Sequence, residues 1–467
     1  MSQLPRPPAP PSLPLMWKLL RARQHLSPLH LSLAREYGDV VWLRAPGVNT
    51  YLVSTPALIK HYLAENAVNN YVKHPGPVAR TLVMGESIST MEGPGWLRHR
   101  RLLQPGFQRE RMLAAVPKMV EVFQHELDTH WEPRVRGGEP LDVLPAMSSL
   151  VLSVLGPLVC SEEVPQDVRD AVYRYMRFAF EPDPLLHQLG VLPEAVVRYD
   201  SRRRHPLARE SGRRINKYAW DMVRKRMGMS EQPDDMLGMI IDARDAAGER
   251  MKEVEVRDEL VELIYGGQFG TSSGLSWMWH YLSLHPEVFQ RMGDEVERVL
   301  GGRAPAVTDL RDLQYVTQVF DETLRLHPPA PGQGRIAIKE DTLGGYHVPV
   351  GTTVFGSTYA MHRHPDYWTE PEVFDPSRFA PEKVKERPRF LYLPFGAGQR
   401  VCIGSMLASL MATLSTVLLT QRYRLEAVPG KKVRPLTGGA HFPDNLWLKV
   451  LPARAGAPAS RPSAVAG

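Results

Sequence analysis

The sequence predicts a mainly α-helical protein with a small β portion, folded as a single large domain. Three observations point there. Through most of residues 56–290 apolar residues recur at three- and four-residue intervals, the spacing of one helix face. Short β-like pieces with turn residues are confined to the neighbourhood of residue 45 and to about 330–375. The 467 residues, 43% of them apolar, could make three average domains, but they carry no internal repeat and suffice for one large core.

In chain order, residues 1–25 read as a Pro-rich arm, followed by a short helix over LSPLHLSLAREYGD that stops at Gly38-Asp39. Val40 to Leu43 and Tyr51 to Val53, separated by Ala45-Pro46-Gly47-Val48-Asn49, read as a hairpin. PALIKHYLAEN, MLAAVPKMVEVFQHELDTHW and DELVELIYGGQFGTSSGLSWMWHYL are amphipathic or buried helices. RIAI, LGGYHVPVG and TTVFGST are strands with turns. The expected organisation is an arm at 1–25, one domain at 26–452, and a low-complexity, disordered tail at 453–467.

Net charge is +6 and the isoelectric point about 9.2, with both signs mixed along the chain. The aromatic and basic patterns of nucleic-acid binding are missing, so an acidic protein partner is the better use of the charge. Two cysteines, Cys160 and Cys402, give no disulfide framework and suit a reducing cytoplasm. No run of eighteen apolar residues and no cleavable leader is read, so a soluble protein without a transmembrane anchor is expected. Cys160, in SSLVLSVLGPLVC, reads as core.

Cys402 is different. It lies in Phe395-Gly396-Ala397-Gly398-Gln399-Arg400-Val401-Cys402-Ile403-Gly404, immediately before a long apolar helical run. A lone cysteine before a core helix is usually a small buried hydrophobe. Here the glycines let a flat object approach the backbone, and Arg400 and the helix start both favour a thiolate. Those features together mark an iron ligand. Upstream, Glu322 and Arg325 sit three apart on one helix, where an ordinary surface pair contributes a few tenths of a kcal/mol, and FDPSRF offers Arg378 as a third member.

In these motifs the chain resembles the cytochrome P-450 superfamily of haem-thiolate monooxygenases. Phe395, Gly398, Arg400, Cys402 and Gly404 match its cysteine loop. Glu322 and Arg325 match its Glu-x-x-Arg helix, and Phe374, Pro376, Arg378 and Phe379 its Pro-x-Arg-Phe segment. Trp96 and Arg100 match its propionate-binding helix. The resemblance spans about residues 30–452. It implies the family's fold, haem b as cofactor and Cys402 as axial thiolate, a ligand that favours O–O cleavage. It also implies propionate contacts from Trp96, Arg100, Arg335 and Arg400, with Phe395 and Gly396 beside the sulfur. Glu322, Arg325 and Arg378 become a structural network, and Gly266, Phe269 and Gln333 become pocket residues.

One segment departs from the pattern. The family's central helix carries an acid–threonine pair on its oxygen side that relays protons. Here the corresponding run is Gly266-Gly267-Gln268-Phe269-Gly270-Thr271, with Phe269 in place of the acid and Gly270 in place of the first threonine. Four readings stand side by side. Thr271, Ser272 or Gln268 carries a water chain instead, or the substrate supplies the relay group. Alternatively a peroxide is the oxidant, or no O2 is activated and the reaction is a rearrangement or dehydration. Four glycines in Gly266–Gly274 each cost about 1 kcal/mol in a helix, so a bend or opening is expected there.

The reading that follows is oxygen insertion from O2 into a lipophilic small molecule such as a polyketide, terpenoid, fatty acid or steroid. Electrons come from a ferredoxin or flavodoxin with a separate reductase, docking on Arg98, Arg101, Arg109, Lys383, Lys385, Arg387 and Arg389. A peroxide-dependent or O2-independent enzyme is the alternative within the same chemistry, and a haem-thiolate sensor without turnover is the alternative outside it.

Overall fold

The computed structural model describes residues 4–22, 26–45, 48–74, 78–179, 196, 206–437 and 440–453. The tail from 454 lies outside these, as do Gly438 and Gly439. Among the described residues, the helices of ten residues or more are α1 (Ser12–Arg21), α2 (Leu26–Tyr37), α3 (Gly93–Leu103), α4 (Val116–Glu126), α5 (Val143–Cys160), α6 (Gln166–Ala179), α7 (Pro206–Met227), α8 (Glu253–Leu284), α9 (Pro286–Leu300), α10 (Gln314–Leu326) and α11 (Ser405–Arg422).

The Pro-rich arm does not stay apart from the domain. Its SLPLMWKLL stretch is amphipathic and forms α1, burying Leu15 with Leu33, Val41, Leu43 and Leu52. The Trp42 N–H donates to the Pro8 carbonyl at 2.8 Å, which ties the polyproline stretch to the sheet.

That sheet is the β portion of the fold. Strands β1 (Val40–Ala45), β2 (Val48–Val53), β3 (Tyr71–Lys73), β5 (Gln333–Ala337) and β8 (Thr353–Gly356) lie in the order β1-β2-β8-β5-β3, where β4 (Leu141–Asp142), β6 (Asp341–Leu343) and β7 (Tyr346–Val348) belong to smaller sheets. The expected hairpin is present, Val40 facing Val53 and Leu43 facing Thr50. Arg335 sits on β5 opposite Val354 and Lys73, so its side chain is placed by a sheet rather than a loop. Near the C-terminus, β9 (Tyr423–Ala427) and β12 (Trp447–Pro452) pair, and β10 (Arg434–Thr437) with β11 (His441–Asp444) forms a hairpin that packs against α8.

Everything helical is arranged around α8. Its 32 residues span about 48 Å, and the buried positions surround it on nearly every side because α5, α7, α10 and α11 pack on it. α5 is long and apolar enough to cross a membrane by length and composition, but 72% of that window is buried inside the protein and it serves as a core helix. α8 is helical without a break from Glu253 to Leu284. Its glycines serve close approach. A Cβ on Gly267 would lie 3.0 Å from Leu155 of α5, and one on Gly274 3.0 Å from Phe320 and 3.1 Å from Leu324 of α10. The propensity cost is offset by closer helix packing.

Two outcomes follow. Gly274→Val would overpack α8 against α10 and is expected to destabilise by about 1–3 kcal/mol, read from thermal or urea unfolding. Buried His441 has its pKa lowered by burial from 6.5 to about 3, and burial lowers that of His362 well below 6.5. Both are neutral when folded and take up a proton more readily when unfolded. Their stabilisation is therefore complete above about pH 6.5 and is lost as pH falls towards 3, which unfolding midpoints at pH 7, 6 and 5 would show.

Candidate active site around Cys402

The cysteine loop runs directly into α11, with Cys402 three residues before its first residue, Ser405. Its shape is set by Gly396 (φ +75°) and Gly398 (φ +70°), both in the left-handed region, and a Cβ on Gly398 would collide with the Leu63 carbonyl. The Cys402 N–H donates to the Phe395 carbonyl at 2.9 Å, closing the loop on itself, and the Phe395 ring is half-buried against the main core.

Beneath the loop lies a buried ion pair. Glu322 and Arg325 are both fully buried and bidentate, at 2.7 and 2.8 Å. Arg325 also donates to the carbonyls of His362 (2.8 Å), Pro371 (2.7 Å) and Val373 (3.1 Å). Glu322 accepts from the Asp375 N–H at 2.9 Å and lies 3.4 Å from Arg378 Nε. His362 then reaches the loop: its Nε2 accepts from the Leu393 N–H at 3.0 Å while Nδ1 donates to the Arg325 carbonyl at 3.2 Å. No motif marks His362; only its partners reveal it.

A second cluster is cationic. Arg100 donates to the Val401 carbonyl at 3.0 Å. Arg400 lies 4.2 Å from the centre of the buried Trp96 ring and donates to the Met91 carbonyl (2.9 Å) and to Glu92 (2.6 Å). Arg335 is buried at 8% exposure, and among the described residues its guanidinium has one hydrogen bond, to its neighbour's carbonyl. Burial pulls its pKa down and the nearby Arg400 charge adds to that. Three cations against the one carboxylate of Glu92 leave an excess that two further carboxylates would balance. The donor set thus fits a haem: two propionates for the arginines, a thiol for the iron and glycines that let the ring lie on the backbone.

Cys402 keeps accessible surface although its thiol sits deep among protein atoms, as a group facing an internal opening does. Burial pushes its pKa up; the Gly404 N–H and the Arg100 charge act in the opposite direction. The cation acting on the thiol is therefore Arg100 rather than Arg400, which is turned towards Glu92. Metal binding displaces the thiol proton.

Across the opening lies one face of α8. Glu262, Gly266, Phe269 and Gly270 are partly accessible and fall on this face at three- and four-residue steps. A Cβ on Gly270 would meet nothing nearer than Pro329, at 4.0 Å. Phe269 stacks on Tyr265 (6.3 Å) and meets Phe442 of β11 edge-on (6.4 Å), forming an aromatic wall.

Several expectations are corrected here. Gln268 is turned about 200° from Gly266. It is fully buried, donating to Ser148 Oγ of α5 at 2.7 Å and to Ser272 Oγ at 3.0 Å. Thr271 is buried and donates to the Gly267 carbonyl of its own helix at 3.1 Å, and Ser272 likewise turns to the Phe269 carbonyl. None of the three candidate substitute donors faces the opening. Gln333 lies against Gly396, whose Cβ would be 2.8 Å from its Nε2, which places it on the cysteine side and not with Gly266 and Phe269. In the basic surface, Arg98 is engaged with Asp245 (2.6 Å) and Glu255 (3.2 Å), and Arg387 packs on Trp368, Phe379 and Tyr392; Arg101, Arg109, Lys383, Lys385 and Arg389 are exposed.

Sequence reasoning also passed over Glu262. Its Oε2 accepts from Ser87 Oγ at 3.0 Å and from Ser89 Oγ, and its Oε1 reaches to within 2.8 Å of where a Gly266 Cβ would be. Its charge acts on Cys402. The available signal was positional, an acid four residues before Gly266 and seven before Phe269. A separate cavity of about 420 Å³, lined by Glu126, Trp131, Asp142, Ser149 and Arg169 among others, contains none of the motif residues. The chemistry at Cys402, not cavity size, locates the site.

The comparisons with known proteins agree on this architecture. The family model described as Cytochrome P450 matches residues 7–445. The chain is 33% identical to Cyclooctatin synthase of Streptomyces melanosporofaciens over 91% of each chain, and 30% identical to Cyclooctat-9-en-7-ol 5-monooxygenase of the same organism over 90% of each. It is 28% identical to Pentalenene oxygenase of Streptomyces avermitilis over 95% of this chain and 96% of that one. A crystal structure of the cytochrome P450DA heme domain superposes with a TM-score of 0.84 at 24% identity, covering 97% of this chain and 99% of that one, which is a likeness of fold.

Glu322→Ala would leave the Arg325 guanidinium buried without its carboxylate. The expected loss is about 3–5 kcal/mol in urea unfolding, together with lowered haem content, because the cysteine loop hangs from that pair through His362.

Proposed function

The chain belongs to the cytochrome P450 family and is a haem-iron monooxygenase, and we propose that it inserts one atom of O2 into a lipophilic terpenoid by hydroxylation or epoxidation. The observation that carries this reading is the open, aromatic-walled face of α8 at Gly266, Phe269 and Gly270, set across from Cys402. Such a surface orients a hydrocarbon skeleton by shape, with Tyr265, Phe269 and Phe442 excluding water. The names of the Streptomyces relatives, with their cyclic alkene and alkenol substrates, favour a terpenoid over the other lipophilic classes.

The cofactor is taken as haem b, held without covalent bonds to its ring: Cys160, the other cysteine, is buried on α5 with its thiol 3.5 Å from the Tyr218 hydroxyl. Bound there, the haem supplies O2 activation, with the thiolate ligand favouring O–O cleavage. Arg100, Arg335 and Arg400 neutralise its carboxylates, and Trp96 packs beneath Arg400. Overall, RH, O2, two electrons and two protons give ROH and water. The electrons come from a ferredoxin or flavodoxin with its own reductase, steered to the exposed Arg101, Arg109, Lys383, Lys385 and Arg389. Both cysteines are free, which suits the cytoplasm as the place of action.

A peroxide-dependent reaction is the second reading, favoured by Phe269 and Gly270 standing where an acid and a threonine are usual. Two measurements decide. The reduced protein with carbon monoxide should show the red-shifted Soret band of thiolate ligation, and Cys402→Ala should lose it. Reduced nicotinamide with separate redox proteins should then support terpenoid oxidation; turnover with hydrogen peroxide alone, at equal or greater rate, would select the second reading.

A further inference from the structure

The oxygen side of this site has lost its usual acid, yet a carboxylate faces it from elsewhere on the same helix. Glu262 lies on the face shared with Gly266 and Phe269 and extends towards Gly266, which has no side chain to block it. Behind it, residues 87–89 bind two carboxylates at once. The Ser87 and Ser89 hydroxyls donate to Glu262, and between them the Ile88 N–H donates to Glu259 Oε1 at 2.8 Å. Glu259 and Glu262 are one turn apart and feel each other's charge.

Glu259 continues the chain outwards. It is fully buried and lies 2.7 Å from Nδ1 of His99, itself 1% exposed on α3; His99 Nε2 lies 3.6 Å from Glu255, whose side chain is 25% exposed. Buried groups of this kind are ordinarily fully hydrogen-bonded. Here Glu259 Oε2 and His99 Nε2 have no hydrogen-bond partner among the described residues, and each is a place where a water or a travelling proton is accommodated. Other charged groups flank the chain: Arg98 and Asp245 at the Glu255 end, and Arg257 with Asp258, which accepts from the Glu86 N–H at 2.7 Å, on the inner side. The Lys73 amine donates to the Ser89 carbonyl.

Resting on the monooxygenase reading, we propose that Glu262, held by Ser87 and Ser89, delivers protons to the oxygen side of the haem in place of the missing acid–threonine pair, and is supplied from solvent past Glu255 through His99 and Glu259. A proton from solvent, drawn in by the Glu255 carboxylate, reaches His99 Nε2, and His99 releases its Nδ1 proton to Glu259. The Ser87 and Ser89 hydroxyls, with water at Glu259 Oε2, carry it to Glu262. Two such transfers accompany the two electrons from the ferredoxin- or flavodoxin-type donor, and one oxygen atom leaves as water. The energetics permit the shuttle. Burial, with a further push from Glu262, raises the Glu259 pKa to about 7, so that carboxyl exchanges protons near neutral pH; burial pulls the His99 pKa down, and its two glutamate partners outweigh that and raise it.

The test uses the full-length protein and begins with the carbon monoxide band. Glu262→Gln should keep that band, whereas its loss in the parent protein would instead overturn the haem-thiolate reading. With the band intact, Glu262→Gln should lower product formed per reduced nicotinamide at least tenfold, diverting electrons to hydrogen peroxide, and change the solvent isotope effect on turnover. Glu262→Asp should recover part of the coupling. Should Glu262→Gln fold poorly, the Ser87→Ala, Ser89→Ala double variant retains the carboxylate and should still lower coupling. Independently of turnover, infrared titration of the protein without haem should show a buried carboxyl with a midpoint near 7, shifted lower in Glu262→Gln. Coupling and isotope effect unchanged from the parent, or an unshifted infrared midpoint, would overturn the proposal and leave Glu262 as a tie between α8 and residues 87–89.

Discussion

The site depends first on the buried Glu322–Arg325 pair. Desolvating two charges costs several kcal/mol each, and a bare pair would not recover that. Here every remaining valence is used: three backbone carbonyls on Arg325, the Asp375 N–H and Arg378 on Glu322. The pair therefore acts as a fixed node at which α10, the segment around His362 and the segment 371–378 meet. The cysteine loop has little regular structure of its own. Its position is inherited from that node through His362 and Leu393, and through Tyr392, whose hydroxyl donates to Asp321 of the same helix at 2.9 Å.

The opposite wall obeys another constraint. α8 must touch α5 and α10 closely and yet leave space over the haem, and glycine satisfies both demands at different angles around one helix. Gly267 and Gly274 bring neighbouring helices in, while Gly266 and Gly270 leave the face towards Cys402 open. A helix read along its sequence shows four glycines and suggests a weak point. Read around its axis, it shows two contacts and two vacancies, and stays helical from end to end.

This explains what the sequence disclosed and what it withheld. The cysteine loop, the Glu-x-x-Arg helix and Trp96 with Arg100 were legible because each is a local motif whose spacing carries its chemistry. Strands β1, β2, β5 and β8 were legible because turns bound them, whereas β3, of three residues, and strands β9 to β12 near the C-terminus lie outside the regions read as β. Which way Gln268, Thr271 and Ser272 point was not, because 100° per residue converts any uncertainty about a neighbouring helix into an uncertainty of direction; α5 takes Gln268, while Thr271 and Ser272 turn to carbonyls of their own helix. Arg98 and Arg387 were counted as surface charge since composition does not reveal Asp245 or the aromatic platform of Trp368, Phe379 and Tyr392. The role of α1 was hidden by the prolines before it, which mark irregular backbone but say nothing about Leu15 beyond them.

The electrostatics of the two walls are opposite in sign. On the cysteine side Arg100, Arg335 and Arg400 gather with one carboxylate, which favours anions: propionates and a thiolate. On the α8 side Glu259 and Glu262 face His99 and the hydroxyls of Ser87 and Ser89, with no arginine among the hydrogen bonds or ion pairs described for either carboxylate. Glu322 is locked to the Arg325 guanidinium through both oxygens, whereas Glu262 is held by two hydroxyls. Glu322 and Glu262 are the same residue type, the first fully buried beneath the cysteine loop and the second partly accessible on the open face of α8. Their partners set them apart: a guanidinium fork and a backbone N–H make one a fixed node, and two serine hydroxyls hold the other.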